Sequence, residues 1–224
     1  MDLPKESISD KVHKIIEAVI DGIPYCGPAF SALFCEIFAP PIKKRQDQWM
    51  EDVGNILVDL QKQKNINLDD LQKNEAFIDL VYQATRAALG TANEEKRRAL
   101  RNAIRNSASD NAPEIAFQRL FIRMIGDLDE CHLKVLKLYN DPQGWFDKYQ
   151  KQRPSIAAAG LDIILKTALP EYAERPDLYK QIWQELNQRG LVNTPDLVGL
   201  VSKKALYVSR TTDMGKQFLE FIEG

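Results

Sequence analysis

Cys131 and His132 put a thiol beside an imidazole, the pairing that makes a nucleophile when the ring takes the thiol proton. Adjacent helical residues point in different directions, so sequence proximity alone does not pair them. A structural histidine is the expectation, and the same holds for His13, beside the apolar face of the first predicted helix. No Cys-x-x-Cys, His-x-x-x-His or Glu-x-x-His spacing occurs to gather a metal. Cys26 and Cys35, nine apart, are expected to be buried free thiols. The turn from Gly22 to Gly27 has two glycines but no following Lys-Ser/Thr, so it reads as a helix connection and not a phosphate loop. The carboxylates fall mostly on solvent faces of predicted helices. The reading is a protein that is not an enzyme, with no catalytic residues, cofactor, metal or small-molecule substrate.

Binding chemistry has three candidates. Arg97, Arg101 and Arg105 recur every four residues beside Lys96 and Arg98 and form a basic stripe. It suits a phosphate or partner contact, or a solvated face paired with Glu94 and Glu95. Only Leu100 and Ile104 mark its apolar side, which suggests a surface helix. Phe30, Phe34 and Phe38 lie on a short apolar helix that suits a membrane or partner contact, or a plug in a helical core. Lys180, Gln184, Lys203 and Arg210 form the third set, as DNA contacts: Gln can read adenine edges and the cations can meet phosphate.

The elements that carry these residues are mostly helical. Ser7 to Asp10 forms a capping box before Val12, Ile15, Ile16 and Val19. The Phe30–Phe38 helix should stop at Pro40-Pro41, and a long one starts near Pro41 with Trp49, Val53, Ile56 and Leu60 inside. Asn74 caps the next helix, and Thr91 to Glu94 reads as a capping box for one ending near Asn106. The polar turn from Asn106 to Pro113 is the expected boundary between a helical bundle (1–108) and a second domain (113–224). In that second domain helices follow at 114–125, from Asp129 to Asp141-Pro142, and from Ser155 to Thr167. The end reads as a winged helix: a helix at 177–189, a break at Gly190, extended chain from Leu191, a strand around Ala205–Val208 and a last helix carrying Phe218, Leu219, Phe221 and Ile222. The fold expectation is mainly α: a multi-helix N-terminal bundle followed by a winged-helix-like C-terminal domain with a small β-wing.

Bulk properties fit a balanced protein. The 224 residues carry 30 Lys+Arg against 32 Asp+Glu, a formal net charge of −2. Residues 1–110 hold 15 basic and 17 acidic side chains and the rest 15 of each, so neither half has the basic excess of a dedicated nucleic-acid binder. Three cysteines do not make a disulfide framework. Met1 to Glu6 has no signal-peptide pattern, so the expected setting is cytoplasmic, or peripheral at the inner face of a membrane. No stretch is long and apolar enough to span a bilayer.

Several passages together resemble a widespread group of uncharacterised bacterial helical proteins. They are Gly22-Ile23-Pro24-Tyr25-Cys26-Gly27-Pro28, Glu36 to Arg45 with Trp49, Glu94-Glu95-Lys96-Arg97-Arg98-Ala99-Leu100-Arg101-Asn102, and Leu128 to Leu133. The architecture is also similar to the abortive-infection alpha-type proteins, through Thr212-x-x-Gly215-x-x-Phe218. The resemblance implies a bacterial accessory protein with a role in phage defence, and it carries over no catalytic residues. The leading expectation is a non-enzymatic interaction protein that meets itself, a protein partner or a membrane surface. The alternative is a winged-helix transcription regulator that binds DNA.

Overall fold

The computed structural model describes the backbone of residues 32–64 and 66–223, and side chains of residues 41–223 except 63–65 and 68. The expectations for Ser7–Asp10, His13, the Gly22–Gly27 turn, Cys26, Cys35 and Phe30 lie outside the described residues. So do those for the side chains of Phe34 and Phe38. The protein is mainly helical, with eleven α-helices among the described residues and one small two-stranded antiparallel sheet. None of these helices is long and apolar enough to cross a membrane.

The chain forms two compact units, one reaching to Asp127 and taking up Phe221 onward, the other running from Leu128 to Glu220. The division falls at Asp127/Leu128, whereas the sequence suggested the 106–113 turn. That turn is a tight connection inside unit 1, where the Ser109 amide donates to the Asn106 carbonyl and the Ala112 amide to that of Ser109.

In unit 1, α1 (Ala32–Lys64) is followed by α2 (Leu68–Lys73), α3 (Glu75–Leu89), α4 (Glu94–Ser107) and α5 (Ile115–Asp127). Pro40-Pro41 does not end a helix as expected but lies within α1. The fixed φ of proline is itself helical, but each of the two removes a backbone donor and crowds the carbonyl four residues before it, so the helix continues through the pair at a cost in stability. Asn74 and Asn93 cap α3 and α4 by accepting the Phe77 and Lys96 amides at 3.1 and 3.0 Å. The α4 cap is thus Asn93 and not Thr91, whose hydroxyl accepts the Asn93 amide instead. The core gathers Trp49, Val53, Ile56 and Leu60 of α1 with Leu80 and Ala84 of α3, Leu100 and Ile104 of α4, and Phe121 and Ile125 of α5. The Trp49 indole donates to the Thr85 hydroxyl at 3.0 Å, which donates to the Val81 carbonyl, so the polar atoms carried into this core are satisfied. Helix α4 is not the surface helix its narrow apolar stripe suggested. Ala99 and Ala103 widen the buried face, and their small side chains let neighbouring helices approach.

Unit 2 begins with α6 (Glu130–Asn140) and α7 (Pro142–Lys148), then β1 (Ala158–Gly160), α8 (Asp162–Ala168), a 3-10 turn (Pro170–Tyr172), α9 (Pro176–Gln188), β2 (Leu200–Ser202) and α10 (Lys203–Leu206). The last helix, α11 (Asp213–Ile222), has its residues to Glu220 in this unit. Two expectations need correction. The helix foreseen from Ser155 to Thr167 is replaced by β1 and the shorter α8, because Ala158–Gly160 pairs with Leu200–Ser202 and the Asp162 amide bonds the Leu197 carbonyl. The strand foreseen at Ala205–Val208 is instead α10: Lys, Ala and Leu are good helix formers, and the turn buries Leu206.

Gly190 has a φ of +70° and ends α9 as expected. Beyond it, Val192 bridges Thr211. The Thr212 hydroxyl donates to the Gly190 carbonyl at 2.6 Å and accepts the Gly215 amide at 2.9 Å, while the Thr212 amide donates to the Leu191 carbonyl. A Cβ on Gly215 would run into that same carbonyl, whereas one on Gly199 would meet nothing. Gly215→Ala is therefore expected to cost unit 2 about 2 kcal/mol or more, and Gly199→Ala close to nothing; urea unfolding of the two variants measures the difference.

Candidate functional site

The sequence candidates are best judged by what each side chain already holds. Arg101 donates to Asp52 at 2.8 Å and to Glu94 at 2.6 Å. Arg97 donates to Glu94 at 2.6 Å, and Arg105 lies 3.8 Å from Asp59. Burial pushes the Glu94 carboxyl up, but hydrogen bonds and charge from Arg101 and Arg97 outweigh this and hold it below its ordinary range. The stripe therefore faces acids of its own unit. Lys96 is buried and donates to the Gly126 carbonyl at 2.7 Å, and Asn102 donates to the Ile222 carbonyl at 3.0 Å. The Glu94–Asn102 passage is accounted for by ion pairs and helix-end caps.

The Cys131–His132 pair differs from expectation: the Cys131 sulfur lies 3.6 Å from His132 Nδ1, so the two do meet. The ring sits at the start of α6, where Nδ1 accepts the Asp129 amide at 3.2 Å. This puts the proton on Nε2, which donates to Glu185 of α9 at 3.1 Å. Gln181 also donates to Glu185, and this hydrogen bond leads the causes that lower the carboxyl's pKa. Burial, with the negative charge of Asp129 next, raises the Cys131 thiol above its ordinary value. A nucleophilic thiol needs the opposite shift. Asp129, Cys131 and His132 keep their donor atoms within 4.8 Å of one another, the geometry of a potential metal trio. Both ring nitrogens are already committed to hydrogen bonds, however, and these account for the arrangement as a helix cap tied to α9.

The remaining set is divided by the structure. Lys180 and Gln184 are exposed on α9, opposite its buried face of Tyr179, Ile182, Trp183 and Leu186. Arg210 is half-buried and pinned, donating to the Ala205 carbonyl at 2.7 Å. Lys203 lies elsewhere, in an open groove of about 880 Å³ with Arg153, Lys204, Ser155, Ser202 and Tyr207. The groove is built by the ribbon. The Lys203 amide donates to the Ala157 carbonyl at 2.9 Å, extending the β1–β2 pairing by one residue, and the Tyr207 hydroxyl donates to the Pro154 carbonyl at 2.9 Å. Arg153 is held by Asp147 at 2.5 Å. Among the described residues no acid lines the groove, and neither Lys203 nor Lys204 has an acidic partner. Sequence reasoning missed Arg153, Lys204 and the serines as a set, because 50 residues separate the two halves of the groove. The only local signal was the Lys203-Lys204 pair.

No protein-family model matches the chain, and no curated protein or solved structure does either. The site is thus defined by its geometry alone. For Cys131, the raised pKa leaves less thiolate at mildly alkaline pH. Iodoacetamide should alkylate its peptide several-fold more slowly than an unstructured cysteine peptide, with the rates converging on unfolding; peptide-resolved mass spectrometry reads this directly.

Proposed function

We propose that this chain is a non-enzymatic interaction protein whose second unit docks a phosphate-bearing partner in the Arg153–Lys203–Lys204 groove. The observation that carries the proposal is the convergence of three cations, two of them without an acidic partner, in a groove lined by no acid among the described residues. Ser155, Ser202 and Tyr207 add hydroxyls there, which suit phosphate oxygens. Its volume lies in the ordinary range for ligand sites of roughly 300–1,000 Å³. The arginine stripe of α4 offers no comparable surface, because its guanidiniums already meet carboxylates.

A second reading is a winged-helix DNA binder. The Val192–Thr211 bridge after α9 favours it, together with the exposed Lys180 and Gln184 on that helix and Lys203 beyond it. The segment with Phe30, Phe34 and Phe38 remains a candidate for self-association, a protein partner or a membrane. A setting in bacterial phage defence, at the cytoplasmic side, rests on the sequence resemblance alone.

Calorimetric titration of the full chain with sodium tripolyphosphate, and with a DNA duplex, tests the proposal at low and high salt. Tripolyphosphate should bind at low salt and weaken as salt rises. The double variant Lys203→Glu/Lys204→Glu should lose about tenfold or more in affinity, and Lys180→Glu should change little. Absence of tripolyphosphate binding at low salt overturns the docking proposal. Duplex binding that Lys180→Glu and Gln184→Ala weaken as strongly as the groove variant would favour the winged-helix reading.

A further inference from the structure

The ribbon that builds the groove also carries uncovered apolar side chains. Leu200 and Ser202 of β2 are two residues apart and so share a face, and Ser202 lines the groove. Their partners across the ribbon on that face are Gly160 and Ala158, which offer no side chain able to cover Leu200. Leu200 is accordingly 80% exposed. Val198, two residues before it, is also exposed, as are Ile156 just before β1 and Val208 just after α10. Single exposed aliphatic residues are ordinary. Here four fall along one ribbon and its flanking residues, and Leu200 shares its strand face with Ser202 of the groove that holds the unpaired Lys203 and Lys204, which makes this face the interaction surface. The acids nearby are already engaged: Asp196 accepts the Val198 amide, Asp147 holds Arg153, and Asp162, which lies beside Gly160, accepts from Lys166 at 2.7 Å.

We propose that this ribbon face docks on an anionic lipid bilayer, with Leu200 and Val198 entering the interfacial layer while Arg153, Lys203 and Lys204 meet lipid phosphates. The proposal rests on the phosphate-docking reading above and names what carries the phosphates. A nucleic acid would engage the cations and leave the aliphatic residues facing water. A bilayer surface satisfies both, because apolar side chains gain from the acyl boundary and basic ones from the anionic headgroups. The contact is peripheral, made by loop and ribbon without a spanning helix.

The test is flotation of the full chain with vesicles of phosphatidylcholine alone or mixed with phosphatidylserine, alongside the tripolyphosphate and duplex titrations. Flotation is expected with the mixed vesicles at low salt and not with phosphatidylcholine alone. Lys203→Glu/Lys204→Glu should reduce the bound fraction about tenfold. Leu200→Asp, at a site exposed enough to leave thermal unfolding unchanged, should also abolish most flotation while keeping tripolyphosphate affinity within about twofold of the parent. Tripolyphosphate binding without flotation overturns the lipid proposal and leaves the phosphate-docking reading standing; loss of both overturns both. Duplex binding without flotation assigns the groove to nucleic acid and also overturns it. So does flotation that Phe34→Asp abolishes and Leu200→Asp leaves intact, which would move the membrane contact to the N-terminal apolar helix.

Discussion

The second unit depends on the close approach of α11 to the chain leaving α9. Gly215 lets the helix backbone reach the Leu191 carbonyl, and Thr212 then holds the Gly190 carbonyl and the Gly215 amide together. The neighbouring residues spread this contact outward. Thr211 bonds Asn140 at the end of α6, the Arg210 amide bonds the Tyr139 carbonyl, and the Arg210 side chain holds the Ala205 carbonyl of α10. Three consecutive residues thus fix α6, α9 and α10 against the start of α11, and α10 is where the groove lysines stand. The Thr-x-x-Gly-x-x-Phe segment is a packing device: its threonine bonds, its glycine makes room and Phe218 is buried.

Charge pairing decides which cations remain available. In unit 1 the arginine stripe reads from sequence as a phosphate contact or as a face paired with Glu94 and Glu95; Glu94 does pair with it, and Asp52 and Asp59 join it. Each such pair adds little stability where it is exposed to water. Its larger effect is to set carboxylates against the stripe's positive charge. In unit 2 the Lys203-Lys204 pair follows a strand and opens a single helical turn, where no acid of the described residues faces it.

Much of the helical framework was legible because local chemistry dictates it. Asn74, Asp129 and Gly190 act at their predicted helix ends, and the apolar stripes of α3 and α9 are buried as the periodicity implied. Two failures share one cause. Ala158–Gly160 becomes a strand because partners 40 to 44 residues away supply hydrogen bonds, and Ala205-Leu206 becomes helical because that pairing ends with the Lys203 amide. The Cys131–His132 contact was misjudged because the capping role of His132 turns its ring back toward the helix start.

The sequence by itself determined that the chain is mainly helical and where many of its helices begin and end. These follow from periodicity, caps and spacing, which act over a few residues. Only the tertiary structure decided that Asp52 and Asp59 face the arginine stripe, that His132 is tied to Glu185, and that Arg153 meets Lys203 and Lys204 in one groove. Each of those outcomes joins residues about 50 apart, and which distant charges meet is settled by how the helices pack.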